Sequence, residues 1–400
     1  MQKKLLIAVT NRSSYNKIKP IVRNLPSNVT PLFLLGGGVL LYRFGGVEHL
    51  IEKDFPDVDI HRVHLAVEGD DLGKMGKTVG LGIIEVSTLL DIVRPDAVLV
   101  CADRFETLAI SVSASYKNIR LIHLQGGEDT GTIDDKVRNA NTMLSDIHFP
   151  ATYKAGDKLV KMLGWTNFDE GGKDRIFVFG CPSMDTLMTD QHVRVIRTQE
   201  REQGRVIDTD GNWEEIYNRS NVAINSKGTG AHIDTKNPFV IVMLHGDTTD
   251  PHFIRNMHNL TDALEMIPQQ KVIFWNNIDP KGDQIAKMWR GYSNSSLGDK
   301  RFVRHIEPED FACLLLASDC IIGNSSTGIR EASFLGVPSV NIGDRQHGRE
   351  HGCNVTTVPF DKHEIYGAIT RVAGKAYTPS NLYGDGNAGW NIANRIAKCI

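Results

Sequence analysis

Cys320–Asn354 reads CIIGNSSTGIREASFLGVPSVNIGDRQHGREHGCN, and the order of apolar and polar residues in it decides the fold. Cys320–Gly323 is a short apolar run ending in glycine, the pattern of a buried parallel strand. Asn324-Ser325-Ser326-Thr327-Gly328 is a polar turn, and Ile329–Leu335 reads as a helix. A strand, a small turn and a helix N-terminus present free backbone N–H groups and the positive end of a dipole, and two serines add hydroxyl donors. The arrangement suits a phosphate. Glu331, a turn inside that helix, can accept from a sugar hydroxyl beside it. Gly336-Val337-Pro338 then turns into the strand Ser339–Ile342, whose carboxyl end delivers Asp344, Arg345, Gln346 and Arg349. For Asn-Ser-Ser alone the competing reading is an ordinary helix cap; that reading does not account for the whole run.

Outward from this stretch the same rhythm recurs. Lys3–Thr10 reads as a strand feeding the polar turn Asn11–Tyr15 and a helix. Thr30–Leu35 and Asp59–Leu65 are further strands, and Met75–Leu90 has helical spacing. The strand Ala97–Cys101 is followed by Asp103-Arg104-Phe105-Glu106, and Arg120–Leu124 by Gln125-Gly126-Gly127-Glu128. Ile147–Pro150 and Arg175–Gly180 read as short strands. Pro238–Leu244 restarts the alternation and ends at His245, with the helix His252–Met266 behind it. The strand Lys271–Trp275 then leads to Asn276–Asp279. Alternation of this kind predicts two doubly wound Rossmann-like α/β domains facing a cleft, with ligands bound beyond the strand carboxyl ends. Residues 1–190 are expected to form the first domain, 238–380 the second, and 381–400 a last helix that can cross back onto the first. Residues 191–237 are polar and weakly periodic and are expected to be a connection and insertion, partly disordered.

The 400 residues are 41% hydrophobic and 23% charged with a net charge of −3, so no basic face is offered to nucleic acid or anionic lipid. No window approaches a membrane span, and the N-terminal apolar run is too short for a signal-peptide core. The six cysteines (Cys101, Cys181, Cys313, Cys320, Cys353, Cys399) are widely spaced, with no metal-binding pattern. The expectation is a cytoplasmic chain with reduced thiols.

The quoted stretch, together with Asp103–Glu106, Gln125–Glu128, Gly131–Asp135, His245 and Asn277-Ile278-Asp279, resembles the UDP-N-acetylglucosamine 2-epimerases. Within them it is similar to the hydrolysing branch of sialic- and legionaminic-acid pathways. The resemblance implies a glycosyltransferase-B-like architecture, a UDP-sugar substrate, no cofactor, no metal, and a dimer or tetramer. It places UDP against Arg12, Arg104, His245, Asn277, the backbone near Ile306, Ser325, Ser326, Glu331 and Arg345. Three arginines can neutralise a diphosphate.

The chemistry it implies is elimination of UDP to a glycal, water addition at C1, and reprotonation at C2 from the other face. Crowded carboxylates push one another's proton affinity apart, as an acid–base pair requires. By resemblance Asp103 and Asp134 are the acid–base candidates, Glu106 supports them and Glu128 orients. The chain departs from the family pattern at Gln125 (commonly Glu), Asn139 (His), Met143 (Lys), Ser14 (Asp) and Gly246 (Pro). Four of these five fall in the first half, which favours a changed sugar or reduced catalysis over a changed nucleotide. Other readings stay open: a UDP-2,4-diacetamido-trideoxyhexose substrate, a non-hydrolysing epimerase, a retaining glycosyltransferase, or an inactive UDP-sugar binder.

Overall fold

The structure, a computed structural model, describes residues 2–41, 47–67, 73–165, 175–198, 201–202, 205–206, 211–247, 250–276, 281–294 and 298–400. Its chain divides into two compact units. One comprises Met1–Asp129, Ile133–Asp185 and Tyr383–Ile400; the other comprises Thr130–Thr132 and Thr186–Leu382.

In the first unit six parallel strands form one sheet: β1 (Lys3–Val9), β2 (Val29–Gly36), β3 (Ile60–Val63), β4 (Ala97–Cys101), β5 (Arg120–Leu124) and β6 (Ile147–Phe149), in the order β3-β2-β1-β4-β5-β6. This is the doubly wound order, reversing between β1 and β4. The period of two along β1 explains why both faces are covered. Leu5, Ile7 and Val9 pack with Ile18 and Ile21 on one side, whereas Leu6 and Ala8 pack with Val86, Leu90 and Ile110 on the other. The helix Ala388–Cys399 completes the first of these cores with Ile392 and Ile396, both fully buried. Each contributes about 2 kcal/mol by area. Asp185 fixes its start, accepting from Ala388 N (3.0 Å) and Gly389 N (2.6 Å). A Cβ on Gly389 would lie 2.7 Å from Pro20 Cβ, so glycine lets the two helices approach closely.

The second unit holds a two-residue ladder, β7 (Arg201–Glu202) and β8 (Arg205–Val206), and a seven-stranded sheet. The sheet strands are β9 (Gly228–Gly230), β10 (Phe239–Met243), β11 (Gln270–Phe274), β12 (Lys300–Val303), β13 (Cys320–Gly323), β14 (Ser339–Ile342) and β15 (Val355–Val358), in the order β15-β14-β13-β10-β11-β12-β9. Six are parallel; β9 runs antiparallel on the β12 edge. The order reverses between β10 and β13, so this sheet too has a switch point.

Two sequence expectations are corrected, at Arg175–Gly180 and at Ile329–Leu335, whereas the described part of residues 191–237, read as a connection and insertion, holds the helices Gln191–Thr198 and Asn212–Lys227 as well as β9. A buried Arg301 holds the end of the second helix, donating to the carbonyls of Ile224 (2.7 Å), Asn225 (2.6 Å), Gly228 (2.7 Å), Gly230 (3.3 Å) and Ala231 (3.0 Å). Arg175–Gly180 forms only a single bridge, His148 to Ile176, rather than a strand. The helix read at Ile329–Leu335 begins earlier and is broken: Ser326–Ile329 and Glu331–Leu335 flank Arg330, whose φ −98° and ψ −67° interrupt the helix. Glu331 therefore opens a segment instead of lying a turn inside one.

Candidate active site

The first unit's candidate residues gather beyond β1, β4 and β5, at its switch point. Ala102 and Gln125, the residues that follow β4 and β5, have φ of 62° and 64°, left-handed conformations that cost a non-glycine residue about 1–3 kcal/mol. They hold because the surroundings fix them. Ala102 N donates to Leu124 O (2.8 Å) and Gln125 N to Phe149 O (2.8 Å). The Ala102 carbonyl accepts from His123 Nε2 (2.9 Å) and Asn141 Nδ2 (3.3 Å), while His123 Nδ1 accepts from Thr142 Oγ1 (3.2 Å). Burial pushes His123 down to about 4, so its ring is neutral and serves as a fixed strut.

Asp103 pairs with Arg138, a side chain 1% exposed. The same guanidinium donates to Asp135 Oδ1 (2.5 Å) and Glu128 O (2.8 Å). Burial opposes its charge, but the negative charges of Asp103, Glu128, Asp135 and Asp134 raise its pKa. The carboxylates are thus grouped around a buried cation rather than left to repel one another, as their crowding in the sequence suggested. Glu106, also 1% exposed, is gripped by Arg104 through two contacts of 3.1 Å. That fork neutralises Glu106 and occupies Arg104 in this state. Asp134 lies in the first turn of the helix Ile133–Leu144 that carries Arg138.

Gln125 is buried and donates from Nε2 to Cys181 Sγ (2.7 Å), and Cys181 Sγ lies 2.9 Å from Ser183 Oγ. Gly127, at φ 84°, passes against the next helix; a Cβ there would sit 2.2 Å from Ala155 O. Arg12, half-buried, is the first residue of the helix Arg12–Arg23, and burial lowers it to about 10, leaving it cationic at neutral pH. Ser14, one of the departures, closes a capping box with Asn11 (Ser14 N to Oδ1 2.7 Å; Asn11 N to Oγ 3.3 Å).

The second unit's candidates meet at its own switch point. Asn324, fully buried after β13, accepts from His245 N (2.7 Å) and donates to His245 O (2.8 Å), tying the end of β13 to the end of β10. Its own carbonyl accepts from Arg345 (3.1 Å) and Gln346 (2.9 Å), and Arg349 donates to Gln346 Oε1 (2.6 Å). One asparagine thus orients His245, Arg345 and the residues after β14. Ser325 caps the short segment beyond it, accepting from Thr327 N (3.3 Å); Ser326 opens that segment. Glu331 Oε2 is shielded from solvent and meets no hydrogen-bond donor among the described residues, an acceptor waiting for a hydroxyl. Ile306 is buried in the loop after β12. Asn277, with Ile278 and Asp279, lies outside the described residues. Among the described residues no group of three or more His, Cys, Asp or Glu could hold a metal ion.

The UDP-N-acetylglucosamine 2-epimerase family model matches residues 47–397. The chain belongs to the UDP-N-acetylglucosamine 2-epimerase family. It is similar to the UDP-N,N'-diacetylbacillosamine 2-epimerase (hydrolyzing) of Legionella pneumophila, 26% identical over 392 residues (96% of this chain, 93% of the relative). It is equally similar to the UDP-N-acetylglucosamine 2-epimerase of Neisseria meningitidis, 26% identical over 370 residues (92% and 86%). Its fold matches the crystal structure of the N. meningitidis UDP-GlcNAc 2-epimerase bound to UDP-GlcNAc, with TM-score 0.73 at 18% identity over 99% of this chain and 100% of that one. The glycosyltransferase-B-like architecture is therefore the fold of this chain.

For a member of the 2-epimerase family, the sequence reading missed Arg138, His123 and Asn324 as organising residues. Arg138 reaches Asp103 across 35 positions of chain, which no local pattern encodes. His123 is hidden in an apolar strand, although its place just before the Gln-Gly-Gly-Glu turn was a usable signal.

Proposed function

We propose that this family member is a hydrolysing 2-epimerase that converts UDP-N-acetylglucosamine and water to N-acetylmannosamine and UDP, feeding sialic-acid-type sugar synthesis. The observation that carries the reading is the pairing of Asp103 and Asp135 with the buried Arg138 cation, whose charge Glu128 and Asp134 also favour. A base takes the C2 hydrogen as UDP leaves, giving a glycal. Water then adds at C1, losing its proton to a carboxylate, while a proton reaches C2 from the opposite face. We assign the proton transfers to Asp103 and Asp134, with Glu106 holding Arg104 in place and Glu128 orienting Arg138 through its carbonyl. UDP binding is assigned to Arg12, Arg104, His245, Asn277, Ser325, Ser326, Arg345 and the backbone near Ile306, with Glu331 taking a ribose hydroxyl. Arginines supply the charge for the diphosphate, so the reading calls for no metal or redox cofactor. Six free cysteines fit a reducing compartment, and we place the reaction in the cytoplasm.

The test is incubation with UDP-N-acetylglucosamine in deuterated water, followed by NMR. C2-deuterated N-acetylmannosamine with free UDP is expected, and Asp103→Asn and Asp134→Asn should each abolish it. Interconversion of the two UDP-sugars without UDP release would instead make it a non-hydrolysing epimerase. A second reading keeps the chemistry and changes the sugar to a UDP-2,4-diacetamido-trideoxyhexose. The name of the L. pneumophila relative and the Gln125–Cys181 contact, which sets an amide where a carboxylate is common, favour it. Turnover of that sugar with none of UDP-N-acetylglucosamine would establish it.

A further inference from the structure

Gln125 belongs to a buried hydrogen-bonded chain that the proton transfers assigned above leave unused. Its amide Nε2 donates to Cys181 Sγ (2.7 Å), and Cys181 Sγ lies 2.9 Å from Ser183 Oγ. The three side chains are buried, Cys181 completely. Backbone anchors both ends. Gln125 follows β5 in the left-handed conformation, and its N–H donates to Phe149 O (2.8 Å). Cys181 N donates to Tyr383 O (2.7 Å), and Gly180, at φ 94°, crosses Gly384 so closely that a Cβ on it would lie 2.6 Å from Gly384 Cα. That crossing sets where the sulfur sits, and the sulfur sets how the amide is turned.

The donors and acceptors give the chain a direction. Sulfur takes the amide N–H, and its own S–H, pointing away from the incoming donor, has Ser183 Oγ as acceptor. With Nε2 committed to sulfur, Oε1 is the end of the amide turned to the other side. An amide oxygen accepts a hydrogen bond and exchanges no proton, whereas a carboxyl in its place could do both. Position 125 is thus an acceptor of fixed orientation beyond β5, where the first unit's candidate residues gather. We propose that Cys181 and Ser183 are positioning residues, which hold Gln125 Oε1 as the acceptor for an N–H or O–H donor on the sugar of the UDP-sugar and so set sugar affinity without touching the sugar. The proposal rests on reading the first unit as the place of the sugar, and it holds whichever UDP-sugar is turned over.

The test is titration calorimetry of the full chain with UDP and with UDP-N-acetylglucosamine, the ratio of the two affinities reporting the sugar alone. Cys181→Ala and Ser183→Ala should each shift that ratio against the sugar by about 10-fold, the loss of one hydrogen bond, with UDP affinity unchanged. Cys181→Ser, which can accept and donate in the same places, should restore the wild-type ratio. In a Gln125→Ala background neither change should lower it further, whereas a merely structural role would stay additive. Ser183→Ala leaves the sulfur in place and carries the test if Cys181→Ala fails to fold. The side-chain amide NMR signal of Gln125, assigned by its loss in Gln125→Ala, needs no ligand: it should move in Cys181→Ala and return in Cys181→Ser. An amide signal indifferent to Cys181, a ratio unchanged in Cys181→Ala and Ser183→Ala, or losses that persist without Gln125 each overturn the proposal. Failure of the epimerase reading shows separately, as a wild type that turns over neither UDP-sugar in deuterated water while these ratios still shift.

Discussion

Two residues carry separable consequences for this enzyme. Arg138 is the counter-charge of Asp103 and Asp135 and the donor to the Glu128 carbonyl. Arg138→Met strands those groups and should lower stability by about 3–5 kcal/mol in urea unfolding, the usual result of breaking one side of a buried ion pair. Arg138→Lys keeps a charge but loses the fork that reaches three partners. Its melting temperature should fall less, while kcat drops by about 100-fold, in the range of a misplaced acid–base group. Equal activity of Arg138→Lys and wild type would show that Asp103 needs no orientation. Glu331 behaves in the opposite sense. Its Oε2 meets no donor among the described residues, so Glu331→Gln should leave stability unchanged or raise it while weakening UDP about 10-fold by titration calorimetry, the loss of one hydrogen bond to a charged acceptor. An unchanged affinity would remove Glu331 from the UDP contacts.

At the scale of single elements, the helices held by one side chain are the ones to probe. Arg301→Leu removes a donor from five carbonyls, at the end of Asn212–Lys227 and along and just after β9, and unfolding should become easier by about 3–5 kcal/mol. A change below about 1 kcal/mol would mean that water replaces the guanidinium freely. Asp185 caps Ala388–Cys399, and burial, outweighing the two backbone donors, raises it to about 6. A carboxyl whose folded pKa lies above its unfolded value of about 3.9 contributes stability that is complete below that value and is lost as pH rises through 6. The melting temperature of Asp185→Asn relative to wild type should therefore climb between pH 4 and 7; a pH-independent difference would contradict it. The elements themselves were largely legible, because parallel strands buried on both faces read as apolar runs such as Leu5–Val9. Helix Asn212–Lys227 was not, since its stability comes from Arg301 and from packing rather than from a strong period. The break at Arg330 was equally hidden, for the run Ile329–Leu335 has no proline or glycine to signal it.

For the whole molecule, strand alternation foretold two α/β units, and the strand-end positions of Asp103, Glu128, His245 and Arg345 followed from it. What alternation could not supply is which distant side chains bind them, because Arg138 to Asp103 and Asn324 to His245 are contacts between separate segments of chain. If the UDP contacts are divided as proposed, UDP alone should slow hydrogen exchange most around β10, β13 and residues 324–331, with smaller effects at residues 102–138; the reverse ranking would reassign the nucleotide to the first unit. The helix Ala388–Cys399 bears on biosynthesis. Its Ile392 and Ile396 belong to the same core as Leu5 and Ile7, yet the residues between Asp185 and Tyr383 must be translated first. At about 5–20 residues per second that delay is roughly 10–40 s. Throughout it the nascent N-terminal unit presents an uncovered apolar groove along the helix Arg12–Arg23, and a ribosome-associated chaperone has that interval in which to occupy it.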